Sequence, residues 1–398
     1  MYKLYLLKRL AEDILMLPMI GIGRLIALFK PLDKEYKVFF FFPFYHVGGA
    51  EKVHAQVAKA CGGADCIIFF TKKSGDTLFW DEFAASGCVM KDISKHTDNK
   101  WLYFKNIIYR GILSGYINKQ KQRPVVFNGQ CNFGYKISPW IRKEITQLEL
   151  IHSLCSFSYI RIPFLPFITK TVMISTVRIQ EHLELYKRYG IPAEYDSRIQ
   201  FIMNAIELPP RQQKEQHDRL TALYVGRCTA EKRVPLIASA AKKLSENSNN
   251  VKVQFMGEVS SAIPQDLHDY CHFWGALSDT IKIDGIYRNA DILLLVSDTE
   301  GFPMVIMEAM TRGLAIISTA VGEIPLHIKN GVNGFLIENV SDAEGVVQQV
   351  IQHVETLNKE RVLLNRISDN NMEYAYEHFG MDRFNKEYQQ LFLEANGS

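Results

Sequence analysis

From Tyr36 onward, short apolar runs alternate with longer amphipathic stretches, the pattern of parallel strands covered by helices. In the first half the runs at 38–42, 66–70, 125–128, 149–153, 171–175 and 199–203 read as strands. The alternation then stops at Leu208-Pro209-Pro210 and the polar run from Arg211 to Asp218, which reads as an interdomain linker over 206–219. It resumes with runs at 220–225, 251–255, 272–274, 291–296, 314–318 and 334–337, and with a helix over 235–244 opened by Pro235. The order β then α, many times over, predicts an α/β protein of two Rossmann-like, doubly wound parallel-sheet domains, 36–205 and 220–375, facing one cleft. Length agrees: 398 residues exceed the roughly 250–300 at which a single core stops growing.

The first 35 residues stand apart. Ile14 to Gly23 is apolar but short, and a second apolar run, Leu25 to Phe29, follows Arg24. This is too broken for a membrane span of about 20 residues. Lys3, Lys8, Arg9, Arg24 and Lys30 frame the apolar runs, so the segment reads either as an amphipathic, membrane-associating helix in the interface plane or as a helix packed on the protein itself. Charge sharpens the picture. Residues 1–205 carry 28 Lys and Arg against 17 Asp and Glu, a net +11, while 206–398 carry 18 against 26, a net −8. A basic first half suits an anionic membrane surface or a phosphate-bearing acceptor, or is a solvated lysine-rich face; nucleic acid is not expected as a partner. Seven scattered cysteines without a CxxC pair indicate neither a disulfide framework nor a zinc knuckle, and imply a reducing, cytoplasmic setting.

Ligands of such sheets bind beyond the carboxyl ends of the strands, and three loops there carry chemistry. Strand 38–42 runs through Phe44-Tyr45-His46-Val47 into Gly48-Gly49-Ala50-Glu51 and a helix. Two glycines allow close backbone approach and leave N–H groups at a helix start for an anion, although they also suit a plain strand-to-helix turn. Strand 220–225 ends in Gly226-Arg227, with Glu231-Lys232-Arg233 close behind. A guanidinium and an ammonium at one strand end can hold a diphosphate, the alternative being exposed residues at a helix start. Strand 291–296 leads into Glu300-Gly301-Phe302-Pro303, with Pro303 expected at the first helical position and Glu308 five residues on. The two carboxylates, Glu300 and Glu308, suit hydrogen bonds to two different sets of sugar hydroxyls with a diphosphate between them.

On these blocks, in this order, the chain resembles the retaining glycosyltransferases of family 4, which have the GT-B fold, from about Tyr36 to the end. The resemblance implies transfer of a sugar from a nucleotide diphosphate sugar, a UDP-sugar first and GDP-mannose second, to a lipid-linked or other saccharide acceptor in surface polysaccharide assembly, at the inner face of the cell membrane. It implies Gly48 and Gly49 beside the donor diphosphate and the acceptor, and Arg227, Lys232, Gly301, Phe302 and Pro303 at the diphosphate. It also implies Glu300 at the donor sugar, Glu308 at the ribose, His152 at the reaction centre, Asn204 at a hinge, and a C-terminal helix, 376–398, crossing back to the first domain. One loop departs from the family pattern, Val321-Gly322-Glu323-Ile324. No Asp is followed by another two positions later, so the metal-holding DxD is missing; no metal and no cofactor is expected, and Arg227 and Lys232 supply the positive charge instead. A sugar-nucleotide epimerase on the same fold and an inert scaffold are the alternatives, the latter set against by the retained Glu pair, Arg and Lys.

Overall fold

A computed structural model describes residues 1–99, 101–214, 218–247 and 250–397, and the chain divides into two compact units. The first comprises Met1–Met203 and Asp382–Ser398, the second Asn204–Met381. The first holds a parallel sheet of seven strands in the order β3-β2-β1-β4-β5-β6-β7: β1 Val38–Phe42, β2 Cys66–Phe70, β3 Val89–Asp92, β4 Val125–Asn128, β5 Gln147–Ile151, β6 Lys170–Met173 and β7 Ile199–Phe201. The second holds six parallel strands in the order β10-β9-β8-β11-β12-β13: β8 Leu220–Val225, β9 Val251–Met256, β10 Cys271–Gly275, β11 Ile292–Leu295, β12 Ala315–Thr319 and β13 Gly334–Ile337. Each sheet reverses direction of growth once, between β1 and β4 and between β8 and β11. These switch points are where a doubly wound sheet opens a crevice for ligands.

The continuous apolar runs arise because both faces of each sheet are covered. Every residue of β1 is buried. Phe39 and Phe41 stack on Phe69 on one face, where Leu113 and Ile117 of the Tyr103–Asn118 helix join the same core. Phe40 and Phe127 meet Phe392 of the C-terminal helix Met381–Gly397 on the other, at ring distances of 5.9 and 5.5 Å. Thr146 donates to Ala395 O of the same helix at 3.0 Å. The stretch read as a linker belongs to the second unit: Ile206 N donates to Phe379 O at 2.9 Å and Lys214 Nζ to Arg288 O at 2.7 Å, while residues 215–217 of it lie outside the described residues. Ser398, the last position of the expected C-terminal helix, lies outside them too.

The first helix, α1 (Tyr2–Phe29), lies along the Tyr103–Asn118 helix through a glycine crossing. A Cβ at Gly23 would stand 2.1 Å from Ile108 O, and one at Gly111 2.3 Å from Ile20 O, so only glycines permit this approach. The opposite face of α1 is apolar and exposed from Leu10 to Phe29: Ile14, Leu15, Leu17, Ile22, Leu25 and Leu28 all face solvent, Leu15 at 81% and Phe29 at 84%. No helix among the described residues is long and apolar enough to cross a membrane.

Candidate functional site

In the second unit the expected residues gather at the β8/β11 switch point. Arg227 follows β8 and is exposed; its carbonyl accepts the Tyr224 hydroxyl at 2.8 Å, which fixes the turn. Lys232 ends a short 3-10 turn five residues on, and Glu300 lies in the loop after β11. The two meet: Lys232 Nζ lies 2.5 Å from Glu300 Oε1, and Ser297 Oγ donates to the same oxygen at 2.7 Å. Arg233, in the left-handed region at φ 48°, turns away and donates to Val296 O at 2.7 Å and Val340 O at 2.6 Å, tying the strand ends together. Glu308 is held by the buried Tyr287 hydroxyl at 2.9 Å.

Two expectations change. Pro303 is the N-cap rather than the first helical residue: with ψ 133° its backbone is extended, and the helix begins at Met304. The Phe302 ring is buried, stacked on His327 at 4.0 Å and against Phe379 at 5.5 Å, so a ligand at this loop meets its backbone.

In the first unit Gly48 is the N-cap and Gly49 the first residue of α2 (Gly49–Cys61), directly beyond β1. A Cβ on Gly48 would fall 2.1 Å from Glu51 Oε2, so the Glu51 carboxylate folds over this helix start, while space beside Gly49 is open. His152 follows β5, which ends at Ile151, two residues earlier than expected. Its Nε2 lies 2.9 Å from Nε2 of His54, whose ring stacks on Phe42 at 4.6 Å. A hydrogen bond between two imidazole nitrogens needs one N–H and one bare nitrogen, so the two rings are not both protonated in this geometry. Burial pushes His152 down to about 4. Burial, and then the neighbouring His152, holds His54 well below its ordinary value. Gln130, at φ 54°, accepts from His152 N at 3.1 Å and donates to Ser153 O at 3.1 Å, fixing the loop that carries the ring.

His54 and Gln130 are what sequence reasoning missed, and the Gly322 loop, noted there only as a departure, has a definite place. His54 was findable as the imidazole on the apolar face of α2, between Val53 and Val57, five residues past Gly49. Gly322 sits at φ 59°, and a Cβ there would stand 2.2 Å from Glu300 O and 2.6 Å from Gly301 O; Glu323 N donates to Gly301 O at 3.1 Å. The departing loop therefore clamps the Glu300-Gly301 turn. Gly322→Ala must strain the backbone and displace that turn, and is expected to lower stability by about 1–3 kcal/mol in urea unfolding at pH 7. An unchanged unfolding midpoint would mean the clamp is loose.

Residues 206–370 match the family model "Glycosyl transferases group 1". Among curated proteins, the chain is 35% identical over 105 residues to N-acetyl-alpha-D-glucosaminyl L-malate synthase of Bacillus anthracis, covering 26% of each chain. It is 29% identical over 146 residues to the O-antigen biosynthesis glycosyltransferase WbnH of Escherichia coli, covering 36% of this chain and 40% of that one. The matched stretches thus span about a quarter to two fifths of these relatives' length. Among solved structures, Anabaena Alr3699/HepE in complex with UDP and glucose superposes with a TM-score of 0.70 at 16% identity, over 90% of this chain and 99% of that one. The lipopolysaccharide outer core galactosyltransferase WaaB does so with a TM-score of 0.62 at 20% identity, over 88% and 98%. The fold, two Rossmann-like parallel sheets, is that of the GT-B glycosyltransferases.

Proposed function

The chain belongs to the group 1 glycosyl transferases through residues 206–370, and on that premise we propose that it is a retaining enzyme moving a sugar from a nucleotide diphosphate donor to a saccharide acceptor carried on a lipid. The observation that carries this reading is the Lys232–Glu300 hydrogen bond across the β8/β11 switch point, with Arg227 on the same loop after β8: two cations and a carboxylate in the loops at the carboxyl ends of two neighbouring parallel strands. Glu300 orients the transferred sugar, Glu308 the ribose, and Arg227 and Lys232 take up the charge that develops on the leaving diphosphate. In the second unit Gly301 and the backbone of Phe302 and Pro303 line the phosphates; in the first unit, taken by itself, Gly48, Gly49 and His152 form a surface for the acceptor. The acceptor hydroxyl attacks the anomeric carbon on the face the diphosphate leaves. The carbon–oxygen bond to phosphate breaks, the new glycosidic bond forms, and the acceptor proton passes to the departing nucleotide. Arg227 and Lys232 carry out the neutralisation, with no resident metal in this reading.

UDP and glucose in the Anabaena structure support a UDP-sugar as donor, with GDP-mannose second. In thermal unfolding with UDP, GDP and ADP, UDP is expected to raise Tm by several degrees with or without EDTA, since a ligand bound only to the native state stabilises it by mass action. No shift with any nucleotide would sink the reading.

The apolar exposed face of α1, framed by Lys3, Lys8, Arg24 and Lys30, supports a lipid surface as partner. Removing the helix would also expose the glycine crossing, so the test keeps it: Leu15→Glu with Leu25→Glu is expected to cut sedimentation with anionic vesicles several-fold while leaving the UDP shift intact. Equal sedimentation of variant and wild type would remove the membrane from the proposal.

A further inference from the structure

At the carboxyl end of the first sheet, a cavity of about 130 Å³ is lined by the segments after β2, β3 and β4 and by the first turns of the Tyr103–Asn118 helix. Its charged and polar lining includes Lys72, Lys136, Tyr103, Asn106, Asn132 and Asp98. Two cations converge on one phenol oxygen: Arg110 donates to Tyr103 Oη at 2.7 Å and Lys136 Nζ to the same atom at 3.1 Å. Arg110 is 2% exposed, yet its hydrogen-bond partners are Tyr103, Asn106 at 2.9 Å and the Met16 sulfur at 3.2 Å, none of them a carboxylate. Asp13 feels both Arg9 and Arg110, and Asp98 Oδ2 accepts from Lys73 N at 3.2 Å. Burial pushes the Tyr103 phenol up, but Arg110 and Lys136 outweigh it and hold it below its usual range. Like charges so placed repel one another, and an anion entering the cavity relieves them while gaining charge-assisted hydrogen bonds.

From this geometry we propose that the Lys72–Tyr103–Lys136 cavity is a subsite for a phosphate ester carried by the acceptor. The proposal rests on the glycosyltransferase reading for the word acceptor, and on the cavity alone for the phosphate. A dianion with three acceptor oxygens matches two lysines, a phenol and two amides better than a single carboxylate does. The same helix that forms its wall carries α1 on its flank, and Arg110 reaches Met16 of α1 directly. The phosphate therefore belongs to a lipid-linked saccharide or to a soluble phosphate ester, and the experiment separates these sources.

Full-length protein saturated with UDP, which fills the donor half-site, is titrated with inorganic phosphate and, separately, sedimented with phosphatidylcholine vesicles with and without one-tenth phosphatidic acid. Lys136→Gln is compared with wild type and with Lys136→Arg. The expected result is at least a tenfold weaker response of Lys136→Gln to one of the two phosphate sources, with partial recovery in Lys136→Arg and an unchanged UDP shift. Loss in the phosphate titration identifies a soluble ester, and loss only with phosphatidic acid vesicles a lipid-borne one. Equal responses of wild type and Lys136→Gln in both arms overturn the proposal. If UDP fails to shift wild type, the glycosyltransferase reading falls by itself, and the phosphate arms, run without UDP, still decide the subsite.

Discussion

Replacing Glu300 by Gln is expected to lower kcat/KM for hydrolysis or transfer of a UDP-sugar by about 10²–10³-fold, with Tm changed by no more than a few degrees. The carboxylate sits in a loop past β11, with a side chain 10% exposed, and its Oε1 gathers Lys232 and Ser297. Glutamine keeps the shape and one acceptor but removes the charge that holds Lys232 in place and that is proposed to orient the sugar hydroxyls. Lys232→Ala is expected to cost a similar factor by a different route, since it removes the cation proposed to face the leaving diphosphate and the partner of Glu300 Oε1. Because the two side chains share one hydrogen bond, the double variant should lose less than the product of the single losses. That non-additivity separates a working pair from two independent contributions. Wild-type turnover in either single variant would show that the chemistry lies elsewhere.

Twelve of the thirteen strands follow from apolar runs, because parallel strands covered on both faces must be apolar throughout. The exception, β3, is an edge strand beyond β2 whose last two residues, Lys91 and Asp92, are exposed. Its run is therefore short and half polar, and nothing in it announces a strand. β5 was displaced by two residues for a related reason. Gln147 and Glu149 are polar yet buried, Glu149 because Arg161 and Thr171 pair with it at no cost in unmatched charge. With Gln147 polar and outside the apolar run, the strand reads as starting late. The cluster at the β8/β11 switch point was legible since its residues lie in two local blocks, Gly226–Arg233 and Glu300–Glu308, that the sheet order brings side by side. The pairing of His54 with His152 was not, because the two lie 98 positions apart and only the β1/β4/β5 arrangement joins them.

The His54–His152 pair makes a second large effect, on pH dependence. His152 titrates near 4 in the folded chain, below the roughly 6.5 of an exposed imidazole, because burial disfavours its charged form. As pH falls, the unfolded chain takes up the proton first. The stability contributed by the neutral ring is therefore complete above about pH 6.5 and is lost progressively toward pH 4. For one such ring the loss between pH 7 and pH 5 is about 2 kcal/mol. His182 is also pushed to about 4, by burial first and then by Arg161, and adds a loss of the same sign in the same window. Urea unfolding of wild type is thus expected to weaken steeply from pH 7 to pH 5. His152→Gln removes its ring's share, so its deficit against wild type should shrink by about 2 kcal/mol over that range. His54→Ala opens space beside His152 and lets water reach it, which should move the acid limb of turnover upward toward neutral pH. A variant with the wild-type acid sensitivity would mean that the pair is hydrated and carries neither effect, since a solvated imidazole gives the folded and unfolded chains the same affinity for the proton.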